Sequence, residues 1–366
     1  MKFRVSDFHH KGCSYIYNVV MLRTLELTNF RSYTNGLYGF EPGVNIIVGS
    51  NASGKTNLLE AIHTICTLQG FMAADKDLVS IGAQWLRLEA LTDDSTRVVK
   101  LELGKSKIME IDGEPKKRLS PATSLPVVVF EPEHMLLLGN EPERRRSYLD
   151  GILSLTRPGY KSELVAYRRA LAQRNRLLKQ ESFSEDQLFV WDLQLAEKAG
   201  TIVKNRLELV ELLQSVCETH YQTISNSKEK LQFSYSSKIS FNNYSDHLLS
   251  YFKQTIDTDR MRGFTGAGPH RDDLLVDLKG SDARITASRG ETRSIVLALK
   301  IAELELLHEQ TGKAPIFLLD DVFSELDGSR RRALAEALKD YQTFLTTTDA
   351  DVAIDHFSAY NIIPIS

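Results

Sequence analysis

From Met21 the chain alternates apolar and polar residues in LRTLELTNF, the period-two pattern of a strand with one buried face. A second apolar run, VNIIV, leads into glycine. Beyond it, TNLLEAIHTICTLQG carries its apolar residues at helical spacing up to a glycine stop. QWLRLEALT, RVVKLELG and KIMEIDG alternate again, as antiparallel strands covering one face do, and predict a side sheet. The character changes after LPVVVFEPEH. From about Pro142 to Ser225, charged residues and leucines recur at three- and four-residue intervals with few glycines. This block predicts two or three helices folding back on one another, over YKSELVAYRRALAQRNRLLKQ and LFVWDLQLAEKAGTIVKNRLELVELLQSVCETHY. No strict heptad is sustained, so a long coiled coil is not expected. Further on, LQFSYSSKISF reads as a strand, DHLLSYFKQTID as a helix, and DDLLVDL and ARITA as strands. A long helix IVLALKIAELELLHEQTG, the strand APIFLLDD, the helix SRRRALAEALKDY, the strand TFLTTT and a short tail complete the chain, with no internal repeat.

Composition narrows the class. At 366 residues, with 42% hydrophobic and 25% charged content, the chain is globular and long enough for about two domains. Its apolar runs fall far below the roughly 20 residues that span a bilayer, which excludes a membrane-embedded protein. Cys13, Cys66 and Cys217 form neither a CxxC pair nor an even framework, so a reducing, cytoplasmic setting is expected. Residues 1–20 start basic but lack the apolar core of a signal peptide, and Met21 opens the first strand pattern. They are expected to be a dispensable or misassigned leader.

With a net charge of −3, nucleic-acid binding would have to use local patches. One stretch stands out. Between His134 and Gln180, ten basic residues (Arg144, Arg145, Arg146, Arg157, Lys161, Arg168, Arg169, Arg174, Arg176, Lys179) face four acids (Glu141, Glu143, Asp150, Glu163). Charge alone leaves the readings open: a solvated helix face, a set of phosphate contacts or, for Arg144, Arg145 and Arg146, packing against the lobe's own acids.

GSNASGKT, Gly49 to Thr56, fits the phosphate-loop pattern, with an apolar strand before it and a helix after it. Backbone N–H groups of such a loop curl around phosphates, Lys55 bridges phosphate oxygens, and the Thr56 hydroxyl takes a Mg²⁺ position. ATP and Mg²⁺ are the expected cofactors, held by Gly49, Ser50, Asn51, Ala52, Ser53, Gly54, Lys55, Thr56 and Asn57. The partner acid is Asp320, at the end of the apolar run IFLLDD. Adjacent Asp321 points to the other side of the strand, where it can polarise an attacking water.

A second helix start, TASRGETRS, carries Ser288, Arg289, Gly290 and Glu291. Ser288 with Glu291 three residues later fits an ordinary capping box, and the same free N–H groups suit an anion. The order of motifs decides between them: phosphate loop, serine–glycine helix start, strand ending in two acids, then SELD. This resembles the ABC-type ATPase order of Walker A, signature, Walker B and D-loop. Within that class, TNFRSY, EPERRRSYLD, GPHRDD, ASRGETRSIVLALKIAELELL and LLDDVFSELD resemble the RecF family of bacterial recombination mediators, from Met21 to about Thr348.

The resemblance implies an α/β fold, an ABC/SMC-type P-loop ATPase head with an antiparallel side sheet, and a helical second lobe. The implied limits are 21–134 and 258–366 for the two parts of the head and 135–257 for the lobe. It further implies an ATP-dependent homodimer in which Ser288, Arg289, Gly290 and Glu291 complete the partner's nucleotide site. Arg31 of TNFRSY joins the ATP-binding set, Asp320 holds Mg²⁺, and Asp321 takes the place of the usual catalytic glutamate. Implied partners are double-stranded and gapped DNA, RecR and RecO, and the arginines Arg144, Arg145, Arg146, Arg168, Arg169, Arg174 and Arg176 are the expected DNA contacts.

The chain departs from the wider ABC pattern in ways that imply slow hydrolysis. Asp321 is one methylene shorter than glutamate, the switch histidine is replaced within LTTTD by Thr347 or Thr348 (Thr348 in the expected catalytic set), and only Glu131 and Glu133 stand near the Q-loop position. Other classes fit less well. A transporter subunit has its signature nearer the phosphate loop, an ABC-type nuclease of the overcoming-lysogenisation-defect kind needs a further acidic metal domain, and a P-loop kinase gives ASRGETRS no role.

Overall fold

The computed structural model describes residues 20–365 except 72–73, 121 and 181–183. Nearly all of the expected leader, and Cys13, lie outside the described residues.

The chain opens with β1 (Leu22–Phe30), β2 (Tyr33–Gly39) and β3 (Val44–Val48), then α1 (Lys55–Thr67). β4 (Trp85–Thr92), β5 (Thr96–Glu102), β6 (Ile108–Ile111) and β7 (Glu114–Lys116) add to β1 and β2 in an antiparallel sheet of order β2-β1-β4-β5-β6-β7. This is the side sheet that the alternation predicts; its inward residues Leu25, Leu27, Leu88 and Val99 are fully buried. β8 (Val127–Phe130) crosses into a second sheet, and the helical block follows as α2 (Pro142–Thr156), α3 (Tyr160–Leu178) and α4 (Glu185–Ser225).

After β9 (Leu231–Ser236) come α5 (Tyr244–Gln254), α6 (Ile256–Arg262), β10 (Asp273–Leu278), β11 (Ser281–Asp282), α7 (Ala283–Thr286) and α8 (Arg289–Thr311). β9 pairs antiparallel with β10, so one small sheet joins residues on both sides of position 257. β12 (Ile316–Leu319), α9 (Gly328–Ala337), β13 (Thr343–Thr347) and β14 (Tyr360–Pro364) return to the second sheet, whose order is β14-β3-β13-β12-β8, parallel throughout. Its inner strands are buried on both faces, and β12 reads as an unbroken apolar run. Ile316 to Leu319 are all buried.

Two expectations fail. ARITA is helical: the Asp282 side chain accepts a hydrogen bond from the Arg284 N–H and caps the turn of α7, leaving Ile285 82% exposed. The tail is no mere tail, since β14 pairs with β3 from Tyr360 to Pro364 and forms the edge of the parallel sheet. No helix among the described residues is long and apolar enough to cross a membrane.

Candidate nucleotide site

The loop between β3 and α1 is curled by its glycines. Gly54 has φ 102°, and a Cβ there would come within 3.0 Å of Ser32 Oγ and 3.1 Å of Tyr33 Oη. A Cβ on Gly49 would sit 2.5 Å from Ser53 Oγ and 2.6 Å from the Ile365 carbonyl, so the residue that follows β14 helps to shape the loop. The Lys55 ammonium folds back over the loop and donates to the carbonyls of Gly49 and Ser50 at 2.9 and 3.0 Å. Ser53 Oγ is buried with no hydrogen-bond partner among the described residues. The N-cap of α1 has no side-chain cap bond either, so the first N–H groups of the helix are left to a ligand. A buried hydroxyl without a partner, a cradle that a Cβ would fill and a lysine resting on loop carbonyls fit an oligophosphate.

Across the sheet, Thr56 Oγ1 lies 2.9 Å from both carboxylate oxygens of Asp320, which is buried at the end of β12. Thr346 Oγ1 donates to Asp320 Oδ1 at 2.8 Å and accepts the Asp321 N–H at 2.9 Å. The middle strand β13 therefore fixes both acids through one hydroxyl, a residue that sequence reasoning missed. TFLTTT ends in three adjacent threonines, and only the register of β13 between β3 and β12 shows which one reaches the acids. Thr347 is buried and bonds Asp349 O, and Thr348 is exposed beyond the strand's end. A hydroxyl and a carboxylate suit Mg²⁺, whose remaining positions would be filled by phosphate oxygens and water. No cluster of three or more metal-ligating side chains occurs among the described residues.

Asp321 is held at φ 51°, a left-handed conformation uncommon for a non-glycine residue and often found where function over-determines the backbone. Burial pushes its carboxyl above the ordinary aspartate value; Lys55 opposes this, and Asp320 and Glu325 add to it. Glu131, one residue past β8, is raised as well, by burial first and then by Glu133 and Asp320. On the opposite flank, Arg31 Nε binds the fully buried Glu60 at 2.7 Å. Arg31, Ser32 and Asn57 line a cleft of about 570 Å³ beside the loop, with Lys76, Asp77 and Ser80.

Among known proteins, the AAA domain family matches residues 24–310. DNA replication and repair protein RecF of Halalkalibacterium halodurans is 38% identical over 350 residues, covering 92% of this chain and 94% of that protein. The chain belongs to the RecF family. A RecF of Symbiobacterium thermophilum is likewise 38% identical, over 90% of this chain and 92% of its own length. Among solved structures, the recombination mediator protein RecF-ATP in the RecFOR pathway superposes with a TM-score of 0.82 at 32% identity, covering 93% of this chain and 94% of that one. The Smc head domain of Pyrococcus furiosus reaches 0.53 at 14% identity, over 95% and 94% of the two chains, and shares the fold alone. The RecF resemblance and the ATPase-head fold read from the motifs both stand.

The second helix start has a different chemistry. Ser288 Oγ accepts the Glu291 N–H at 3.3 Å and Glu291 Oε2 accepts the Ser288 N–H at 2.8 Å, so the capping box is formed. These bonds to Ser288, with Lys279 Nζ at 2.9 Å, hold the Glu291 carboxyl down at about 2. Arg330 of α9 donates to the Gly290 carbonyl at 2.8 Å and to Ser294 Oγ at 2.9 Å, and pairs with Asp327 of SELD. That residue ties the helix start to the loop behind the acid pair. Among the described residues, no hydrogen bond of Ser288, Gly290 or Glu291 goes to residues 49–57.

Two of the expected DNA contacts are corrected. Arg145 is 1% exposed and grips Asp273 with both Nε and Nη2, at 2.7 and 2.8 Å. Arg174 is fully buried and binds Asp192, Asp259 and Thr265. Neither guanidinium reaches solvent, so neither contacts a phosphate. Arg144 pairs with Glu141 and Glu133, Arg146 donates to Asp272 O, and Arg168, Arg169 and Arg176 are exposed.

Proposed function

We propose that this member of the RecF family is a cytoplasmic, ATP-gated, DNA-binding dimer of recombinational repair that hydrolyses ATP slowly and promotes recombinase loading with RecR and RecO. In this reading the head is divided at 21–134 and 258–366 around a helical lobe. One observation carries it: a phosphate cradle with its own lysine, hydroxyl and acid, in a chain whose second glycine-bearing helix start bonds none of the cradle's residues. A helix start of that kind is accounted for if it meets the nucleotide of a second copy.

Each residue then has a task. The loop N–H groups and Lys55 hold phosphate oxygens, Thr56 and Asp320 hold Mg²⁺, and bound Mg²⁺ supplies charge neutralisation at those oxygens. Asp321 orients and deprotonates the attacking water, with a reach shorter than that of glutamate, which slows the step. Thr346 positions both acids. Ser288 and Gly290 face the partner's nucleotide, and Arg330 keeps them in register with the loop at Asp327.

ATP should act mainly as dimer glue, and two DNA-binding surfaces brought together raise avidity without new contacts. Fluorescence anisotropy of a labelled gapped duplex tests the reading. Affinity is expected to rise with ATP and Mg²⁺ and to fall steeply with salt. Equal affinity with and without ATP contradicts it.

A further inference from the structure

The loop after α6 is held more firmly than its glycines suggest. Thr265 donates through both N–H and Oγ1 to Asn175 Oδ1 at 2.8 and 2.7 Å, and Thr265 Oγ1 accepts from buried Arg174 at 2.9 Å. Gly266 N–H donates to Asp259 at 3.1 Å. Tyr167 Oη lies 2.6 Å from His270 Nδ1, the other ring nitrogen lies 3.1 Å from Thr265 O, and Arg206 donates to Pro269 O at 2.7 Å. The motif GPHRDD thus closes a buried network on α3 and α4. The buried arginines that contact no phosphate are the scaffold on which this loop is mounted.

What the scaffold presents is positive. Arg262 and Arg271 are exposed at the two ends of the loop, and Arg271 lies 4.8 Å over the ring of Phe264, which limits its freedom. On α3 and at its C-cap, exposed Arg168 and Lys179 stand seven residues before and four after Asn175, along the stripe that meets the loop. A Cβ on Gly263 would lie 3.4 Å from Lys179 Cγ, so loop and helix form one surface. His270 beneath it is held down to about 4 by burial, with the positive charges of Arg271, Arg146 and Arg174 adding to the effect. On the lobe, Arg144, Arg157 and Lys198 are each matched with an acid, whereas exposed Arg169 and Arg176, which lie off the stripe of Asn175, form no ion pair among the described residues. Arg168, Lys179, Arg262 and Arg271 form no ion pair among the described residues.

We infer that Arg168, Lys179, Arg262 and Arg271, on the joint surface of α3 and the 262–271 loop, bind the phosphate backbone of DNA. This deepens the DNA-binding reading given above and rests on it. An acidic protein partner could use the same charges, but exposed cations without ion-pair partners, one of them stacked on an aromatic ring, suit a phosphate backbone, whose binding releases counterions.

The test uses the full chain with ATP and Mg²⁺ and a labelled duplex, titrated at several salt concentrations. The Arg262→Gln/Arg271→Gln double variant is expected to bind at least about tenfold more weakly, with a log–log salt slope smaller by about 2, since each lost phosphate contact removes about 0.9. Arg262→Lys/Arg271→Lys should restore most of the slope. Arg168→Gln/Lys179→Gln supplies a second reading should the loop variant fold poorly, with unchanged ATP affinity as the control for folding. If the wild-type chain gains DNA affinity with ATP while both Gln variants keep its affinity and slope, this surface is not the interface. If the wild-type chain gains none, the DNA-binding reading falls and this inference with it.

Discussion

The N-termini of α1 and α8 are both glycine-bearing helix starts, and they differ in what satisfies them. α1 begins without any side-chain cap and with a partnerless hydroxyl at Ser53. α8 begins with Ser288 and Glu291 closing on each other, and with Arg330 on the Gly290 carbonyl. The groups of α1 are left open to this chain's own ligand, whereas those of α8 close on one another and hold that helix start in the fixed shape it would offer to a second copy in the proposed dimer. Buried Arg174 and exposed Arg168 divide along the same line.

The largest effects should come from breaking the open site. Lys55→Met is expected to lower hydrolysis by at least about 100-fold, as loss of a main charge-stabilising donor does. Ser288→Arg should be equally inactive alone. Mixing the two variants should recover activity, because each heterodimer retains one intact site; a self-contained enzyme would recover none.

Next in size is the contrast between the arginines. Arg174→Ala leaves Asp192 and Asp259 buried without their cation and should cost about 3–5 kcal/mol. Arg168→Ala should change stability by no more than about 0.5 kcal/mol. Chemical denaturation of both variants measures the difference, and similar midpoints would erase the distinction.

The acid pair predicts a pH effect. A general base with a raised proton affinity works only when ionised, so hydrolysis should climb with pH through an apparent value above the 3.8 of ordinary aspartate. Asp321→Asn should lose the residual rate and this limb together.

The smallest effect belongs to the self-capped helix. Glu291 is depressed from 4.5 to about 2, so its stabilising contribution is present above the unfolded value and disappears as pH falls from 4.5 towards 2. The stability gap between wild type and Glu291→Gln should be a few tenths of a kcal/mol near neutrality and narrow over that window.

The sequence made the phosphate loop, the side sheet, the helical block and the parallel strands legible, because glycine placement and apolar period are local signals. It misread ARITA, where five alternating residues suggest a strand and the Asp282 cap sets a helical turn instead. It passed over β2, whose YTNGLYG has little apolar content, and β14, a strand only because β3 leaves an edge to pair with. Thr346 was hidden among three adjacent threonines. For Arg145 and Arg174 charge alone did not single out the partner acids, which lie 128 residues away at Asp273 for the first and 85 and 18 away at Asp259 and Asp192 for the second. Contacts of that separation are set by topology, which local pattern does not encode.

The central claim is that the helix start of one copy meets the nucleotide of another, and the mass of the particle tests it most directly. Light scattering of the Asp321→Asn chain, loaded with ATP and Mg²⁺, should give twice the chain mass, falling to a single chain when EDTA or Lys55→Met removes the loaded state. A single chain at high concentration with ATP, Mg²⁺ and duplex DNA all present would contradict the account.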